Sequence, residues 1–226
     1  MKIEDMVVKH NGNSNVIDAL DAIVEGNLRV MNPIVVVGES GTGKSYILKA
    51  LQAVLVFGQG VQEVRHMRCE EFVDLYIEAL SSRTVADFRN RMTRGVTTFL
   101  LDDIDYLIRM SAAAFELTQR IEAFMNSHVR IVLTSSVPIK DLRMDIATKQ
   151  FGSKIAEGVE LDLSYPDAEG RKDIISNILN RARVKLPRVT IEDIAESADG
   201  DLHCLVGQVH KAMIEARLNR TTEVVK

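Results

Sequence analysis

Short, dense apolar runs alternate along the chain with longer stretches in which apolar residues recur every three or four positions. Ile34–Val37 (IVVV), Phe99–Leu101 and Ile131–Leu133 are compact β-branched or aliphatic runs. Such runs suit strands buried on both faces of a parallel sheet. Two weaker runs, Val61–Met67 and Val159–Leu163, bring the expected strands to five. Between them lie helical stretches. Ser45–Val56 gathers Ile47, Leu48, Leu51, Val54 and Leu55 on one face; Glu70–Leu80 does the same with Phe72, Val73, Tyr76, Ile77 and Leu80; Ala112–Met125 does so with Phe115, Ile121, Phe124 and Met125. Strand and helix in alternation predict right-handed βαβ units and a doubly wound α/β domain.

The pattern changes after Pro166. Arg171–Arg183, Ile191–Ser197 and Leu202–Asn219 read as three helices with no strand between them, with apolar stripes that include Ile174, Ile178 and Leu179, then Ile191 and Ile194, then Leu202, Leu205, Val209 and Met213. Asp167 is placed to cap the first. The expected organisation is therefore a core over residues 1–165 and a small three-helix unit over 166–226.

Composition narrows the class without naming a function. Hydrophobic residues at 46% and charged residues at 27% make an ordinary globular mix. No apolar run is long enough to cross a bilayer, and MKIEDMVVKHNG lacks the basic-then-apolar pattern of a secretory leader, so a cytoplasmic protein is expected. The net charge of −4 argues against indiscriminate coating of nucleic acid but leaves room for a local basic patch. Cys69 and Cys204 lie far apart and fit no metal-ligand spacing; two reduced thiols are expected.

The chemistry concentrates in Gly38–Ser45, GESGTGKS, which matches G-x-x-x-x-G-K-[ST]. Glycines at 38, 41 and 43 let the backbone turn tightly enough to aim its N–H groups at phosphate oxygens. Lys44 adds a cation for the β- and γ-phosphates, and the Ser45 hydroxyl is placed to ligate Mg²⁺. Glu39, Ser40 and Thr42 fill the variable positions, so the whole segment is read as nucleotide-binding. IVVV before it and a helix after it supply the strand–loop–helix setting, in which the helix N-terminus favours the same anion.

A second acidic element follows a buried strand. In Thr98-Phe-Leu-Leu-Asp-Asp103, Asp102 is expected to orient the Mg²⁺ shell and Asp103 to polarise an attacking water. Asp105 reads as a helix start or a solvated residue.

NPIVVVGESGTGKSYILKAL, EEFVDLYIEAL, DFRNRM and FLLDDIDYL, in this order and spacing, resemble the AAA+ domain of the bacterial DnaA initiators and of their short relatives, the Hda regulators and DnaC-type helicase loaders. The resemblance runs from about Val7 through Leu218. It implies an αβα P-loop core with a five-stranded parallel sheet and a three-helix lid, ATP or ADP held between them, and assembly through the nucleotide face into homo- or hetero-oligomers. It also implies that Val7 and Val8 lie near the adenine.

Ser81–Gly95 carries Arg83, Arg89, Arg91 and Arg94 against a single acid, Asp87. In the family the inserted helices here grip single-stranded DNA, and arginines along one side of a helix can neutralise successive phosphates. A solvated face or a protein-partner surface fits the same residues, and no aromatic residue is interleaved to stack on bases.

Three positions depart from the family pattern. The arginine finger expected just before the last core strand is matched by Lys154 in GSKIAEG, which keeps the charge and loses the planar fork. The lid arginine is matched by His203, and the polar sensor after the fourth strand by Ser136. The resemblance therefore implies a nucleotide binder with weak or partner-dependent ATPase activity, acting in or regulating replication initiation through a replication protein such as an initiator, a helicase or a sliding clamp. An initiator or loader ATPase that grips single-stranded DNA, and a pseudo-ATPase interaction module, are the alternatives. The chain ends at Lys226 with no duplex-reading module after the lid, as an excised domain or a short paralogue would, and the departures favour the paralogue.

Overall fold

Ile34, Val35, Val36 and Val37 are all buried, and their alternation sends side chains to both faces of one sheet. The computed structural model describes every residue except 27–31, 62, 199 and 224–226, and gives only backbone for 219–223. Gln62 of the run Val61–Met67, residues 27–31 of the core, and Asp199 and 224–226 of the expected three-helix unit thus lie outside the described residues.

The five strands are β1 (Ile34–Val37), β2 (Val64–Arg68), β3 (Thr98–Asp102), β4 (Arg130–Ser135) and β5 (Val159–Asp162). They pair in parallel in the order β2-β3-β4-β1-β5. The three interior strands are built mainly from apolar residues, as a sheet covered on both faces demands. The edge strands β2 and β5 tolerate Arg65, His66, Glu160 and Asp162, because one side of each is open.

Among the described residues ten α-helices flank or follow the sheet: α1 (Ser14–Val24), α2 (Lys44–Ala53), α3 (Cys69–Ser81), α4 (Val85–Thr93), α5 (Ser111–Asn126), α6 (Ile139–Met144), α7 (Lys149–Ile155), α8 (Ala168–Ala182), α9 (Arg188–Ser197) and α10 (Leu202–Glu223). A π-helical turn over Val54–Gly58 extends α2. Val35, Val37, Phe99, Leu101, Ile131 and Leu133 face α3 to α7 in one apolar cluster; Ile34, Val36, Leu100 and Val132 face α1 and α2 in another. A fully buried aliphatic such as Leu100 contributes roughly 2 kcal/mol by leaving water.

A third cluster joins α8, α9 and α10 through Ile175, Leu179, Ile194, Ala195, Leu205 and Val209. Asp167 caps α8, its carboxylate accepting from the Gly170 N–H at 2.8 Å. The architecture is α/β, a five-stranded parallel sheet between helical layers followed by a helical appendage. Among the described residues no helix is long and apolar enough to cross a membrane.

Candidate nucleotide-binding site

The segment after β1 turns through two left-handed glycines, Gly41 at φ 82° and Gly43 at φ 98°, conformations that L side chains resist. Gly43 then caps α2, which begins at Lys44. The N-terminal amides of this ten-residue helix and its dipole end face into the loop. The Gly38 N–H donates to the Ser135 carbonyl at 3.1 Å, holding the start of the loop to the end of β4.

Lys44 is 6% exposed, and its ammonium donates to the carbonyls of Gly38 at 2.7 Å and Glu39 at 3.0 Å. Two of three N–H bonds steady the side chain across the loop, and the third remains to meet an anion. Thr42 closes the turn through its hydroxyl, which donates to the Glu39 carbonyl at 2.8 Å. The cradle fits a polyphosphate: a preformed ring of backbone, one captive cation and a helix N-terminus.

Asp102 closes β3 and is 3% exposed. The Thr134 hydroxyl donates to its Oδ1 and accepts from the Asp103 N–H at 2.9 Å. Asp103 adopts a left-handed conformation, φ 59° and ψ 54°. Burial, and next the adjacent Asp102 carboxylate, push its carboxyl above the usual carboxylate range, while Lys44 pulls it back. Asp105 does more than start a helical turn, because its carboxylate accepts the Ser136 N–H at 2.8 Å and joins the ends of β3 and β4. Sequence reading missed Thr134; its signal was a hydroxyl directly after the apolar run Ile131–Leu133.

The appendage reaches the same loop. The Leu202 N–H donates to the Gly41 carbonyl at 2.9 Å, and the Asp201 carboxylate accepts from the His203 N–H at 2.7 Å. His203 is exposed at the start of α10, one residue from that contact. Val7 is buried among α1 and α2, and Val8 is half-buried. The preceding carbonyl, of Met6, accepts from the Tyr46 hydroxyl at 3.0 Å and from Arg181 of α8 at 3.1 Å. Residues from the N-terminal segment, α2 and α8 thus meet beside the loop.

Other expected site residues lie elsewhere. Lys154 sits on α7 with its ammonium 3.0 Å from a Glu157 carboxylate oxygen, engaged by a nearby acid rather than by the loop. Arg83, Arg91 and Arg94 are exposed on and around α4. Arg89 differs. Its fork grips the fully buried Glu116 of α5 through bonds of 3.0, 3.2 and 2.6 Å, and Arg120 Nε lies 3.2 Å from the same carboxylate. A phosphate would have to displace that carboxylate to claim Arg89.

Residues 3–162 match the family model described as the bacterial DnaA ATPase domain. The chain is 26% identical over 215 residues to the chromosomal replication initiator protein DnaA of Enterococcus faecalis, covering 95% of this chain and 47% of that protein. It thus spans about half the length of the curated relatives it matches. Its fold superposes on domain III of the Thermotoga maritima replication initiation protein DnaA with a TM-score of 0.87 at 23% identity, over 96% of this chain and 89% of that one. A replication initiator DnaA bound to AMPPCP and single-stranded DNA superposes with a TM-score of 0.82 at 22% identity, over 98% and 68%.

Proposed function

We propose that this chain, which belongs to the bacterial DnaA ATPase domain family, binds ATP or ADP in the loop 38–45 and acts in, or regulates, the initiation of DNA replication. The observation that carries the reading is the arrangement of the buried Lys44 ammonium, the α2 N-terminus and the Asp102–Asp103 pair around one glycine-rich turn. Mg²⁺ held by Ser45 and Asp102 would supply charge neutralisation at the phosphate oxygens. Val7 and Val8 would border the base, and Asp103 would accept a hydrogen bond from water at the end of β3.

Hydrolysis is proposed to be weak or dependent on a partner. Lys154 offers a point charge where a neighbour's phosphate would be gripped by a fork, and His203 stands where a second cation is expected. The proposed working form is an oligomer through the nucleotide face, or a complex with an initiator, a helicase or a sliding clamp in the cytoplasm. Similarity to a DnaA bound to single-stranded DNA supports a second reading, in which Arg83, Arg91 and Arg94 grip such a strand. All three are exposed, and none has an ion-pair partner among the described residues.

Calorimetric titration of ligand-stripped protein with ADP and Mg²⁺ tests the core of the reading. Lys44→Ala is expected to lose at least about a hundredfold in affinity, in line with the loss of a charge-assisted bond to phosphate in a buried site. Equal affinity in both proteins would overturn it. Several turnovers per second by the isolated protein would overturn the claim of slow hydrolysis.

A further inference from the structure

A second concentration of positive charge is built between α6 and α7, apart from the phosphate loop and from the arginines around α4. A cleft of about 290 Å³ opens there, lined by Lys140, Arg143, Met144, Lys149 and Ser153. Three cations share it and no carboxylate lines it. The acid on the intervening turn, Asp145, is committed locally: its Oδ1 accepts from the Ala147 N–H at 3.0 Å and from the Thr148 N–H at 3.1 Å. Among the described residues none of the three cations has an ion-pair partner. In a chain of net charge −4, three uncompensated cations around one cleft repel one another, and an anion relieves that repulsion.

The cleft is also held in shape. Gly152 of α7 lies so close to α6 that a Cβ there would sit 2.9 Å from the backbone nitrogen of Arg143, and the buried Thr148 hydroxyl donates to the Leu142 carbonyl at 2.7 Å. The two short helices therefore present Arg143, Lys149 and Ser153 as one unit. Beside it Met144 is 83% exposed and Ile146 is 95% exposed.

We propose that this cleft binds the phosphate groups of a single-stranded nucleic acid. Two lysines and an arginine beside a hydroxyl are the donors that phosphate oxygens take, whereas protein–protein interfaces are depleted in lysine. Met144 and Ile146 offer apolar surface to unstacked bases, which a duplex keeps inside. The inference is independent of nucleotide binding and of the arginines around α4.

The test is fluorescence anisotropy with a labelled oligothymidylate of about 20 nucleotides, long enough to span more than one site, on the full chain with saturating ADP and Mg²⁺. The variant Lys140→Gln/Arg143→Gln/Lys149→Gln is expected to bind at least about tenfold more weakly at moderate salt. Its slope of log affinity against log salt should fall by roughly 2, at about 0.7 for each phosphate no longer neutralised. The same weakening is expected on an Arg91→Gln/Arg94→Gln background, and Lys140→Arg/Lys149→Arg should keep the wild-type slope. Retained ADP affinity confirms the fold of each variant. Unchanged affinity and slope in the triple variant, no oligonucleotide binding by the wild type, or displacement of the strand by excess free ATP or by polyglutamate in preference to oligothymidylate would each overturn the proposal.

Discussion

The backbone N–H of Leu202 donates to the carbonyl of Gly41 at 2.9 Å, so the first residue of α10 is tied main chain to main chain to the phosphate loop. No side chain of either residue takes part in the bond, yet the approach leaves no room at Gly41. A Cβ there would fall 2.6 Å from a carboxylate oxygen of Asp201 while also occupying a left-handed conformation.

Gly41→Ala is therefore expected to destabilise the protein by about 1–3 kcal/mol through backbone strain alone, and to weaken ADP binding by at least about tenfold. Thermal unfolding and calorimetric titration read the two effects separately. Gly200→Ala, where φ is 66° and, among the described residues other than its chain neighbours, no atom lies within 4 Å of a Cβ, gives the strain without the collision and should spare ADP affinity.

Thr134 holds Asp102 and the Asp103 N–H with a single hydroxyl. Thr134→Val keeps the shape and removes both bonds, leaving a buried carboxylate and a neighbouring amide short of a partner. The expected cost is about 1–3 kcal/mol in urea unfolding. Phosphate release per bound nucleotide should fall further than nucleotide affinity, because the acids are displaced while the loop is untouched.

Asp103 carries a carboxyl whose pKa is raised above its ordinary 3.8, first by burial and then by Asp102. The folded state thus holds this proton more tightly than the unfolded state, and the ionised form is penalised. That penalty is absent below the unfolded value, where both states are protonated, and complete above the folded value. Asp103→Asn should accordingly raise the melting temperature of nucleotide-free protein at pH 7, and the gain should shrink as the pH falls toward about 4. Asn tolerates the left-handed backbone at this position.

Arg89 and Arg91 lie two residues apart on α4 and should respond differently. Arg89→Ala strips the buried Glu116 of its bidentate partner and leaves it Arg120 alone, an expected loss of about 2 kcal/mol given that Arg89 is itself partly exposed. Arg91→Ala removes an exposed cation and should change stability by no more than about 0.5 kcal/mol. Chemical denaturation of both variants decides it.

Lys154→Arg restores a planar fork on α7. If Lys154 meets a neighbour's nucleotide, turnover should rise at least about tenfold at protein concentrations that support assembly, with no change at dilution. Steady-state phosphate release across a concentration series is the measurement.

The strands and the phosphate loop were legible because their signals are local. IVVV is a strand for the same reason that it is buried, and GESGTGK needs only its own glycines to turn. What escaped involves partners distant in the chain. Glu116 lies 27 residues beyond Arg89, so a row of arginines at 83, 89, 91 and 94 looked uniform until the fold brought one of them onto a buried acid. Thr134 and Asp102 meet only because β4 lies beside β3. Helices α6 and α7, of six and seven residues, are too short for their periodicity to stand out from a loop, and the cleft between them had no sequence signature beyond scattered lysines.

The helices α8 to α10 keep an apolar cluster of their own, distinct from the two that sandwich the sheet. Swinging these helices as a rigid body would leave all three oily interiors intact and would break polar ties such as those of Leu202 to Gly41 and of Arg181 to Met6. Whatever bridges the loop and α10 would therefore act as a clasp, and its loss would register as faster amide exchange at that seam long before any strand of the sheet began to unravel.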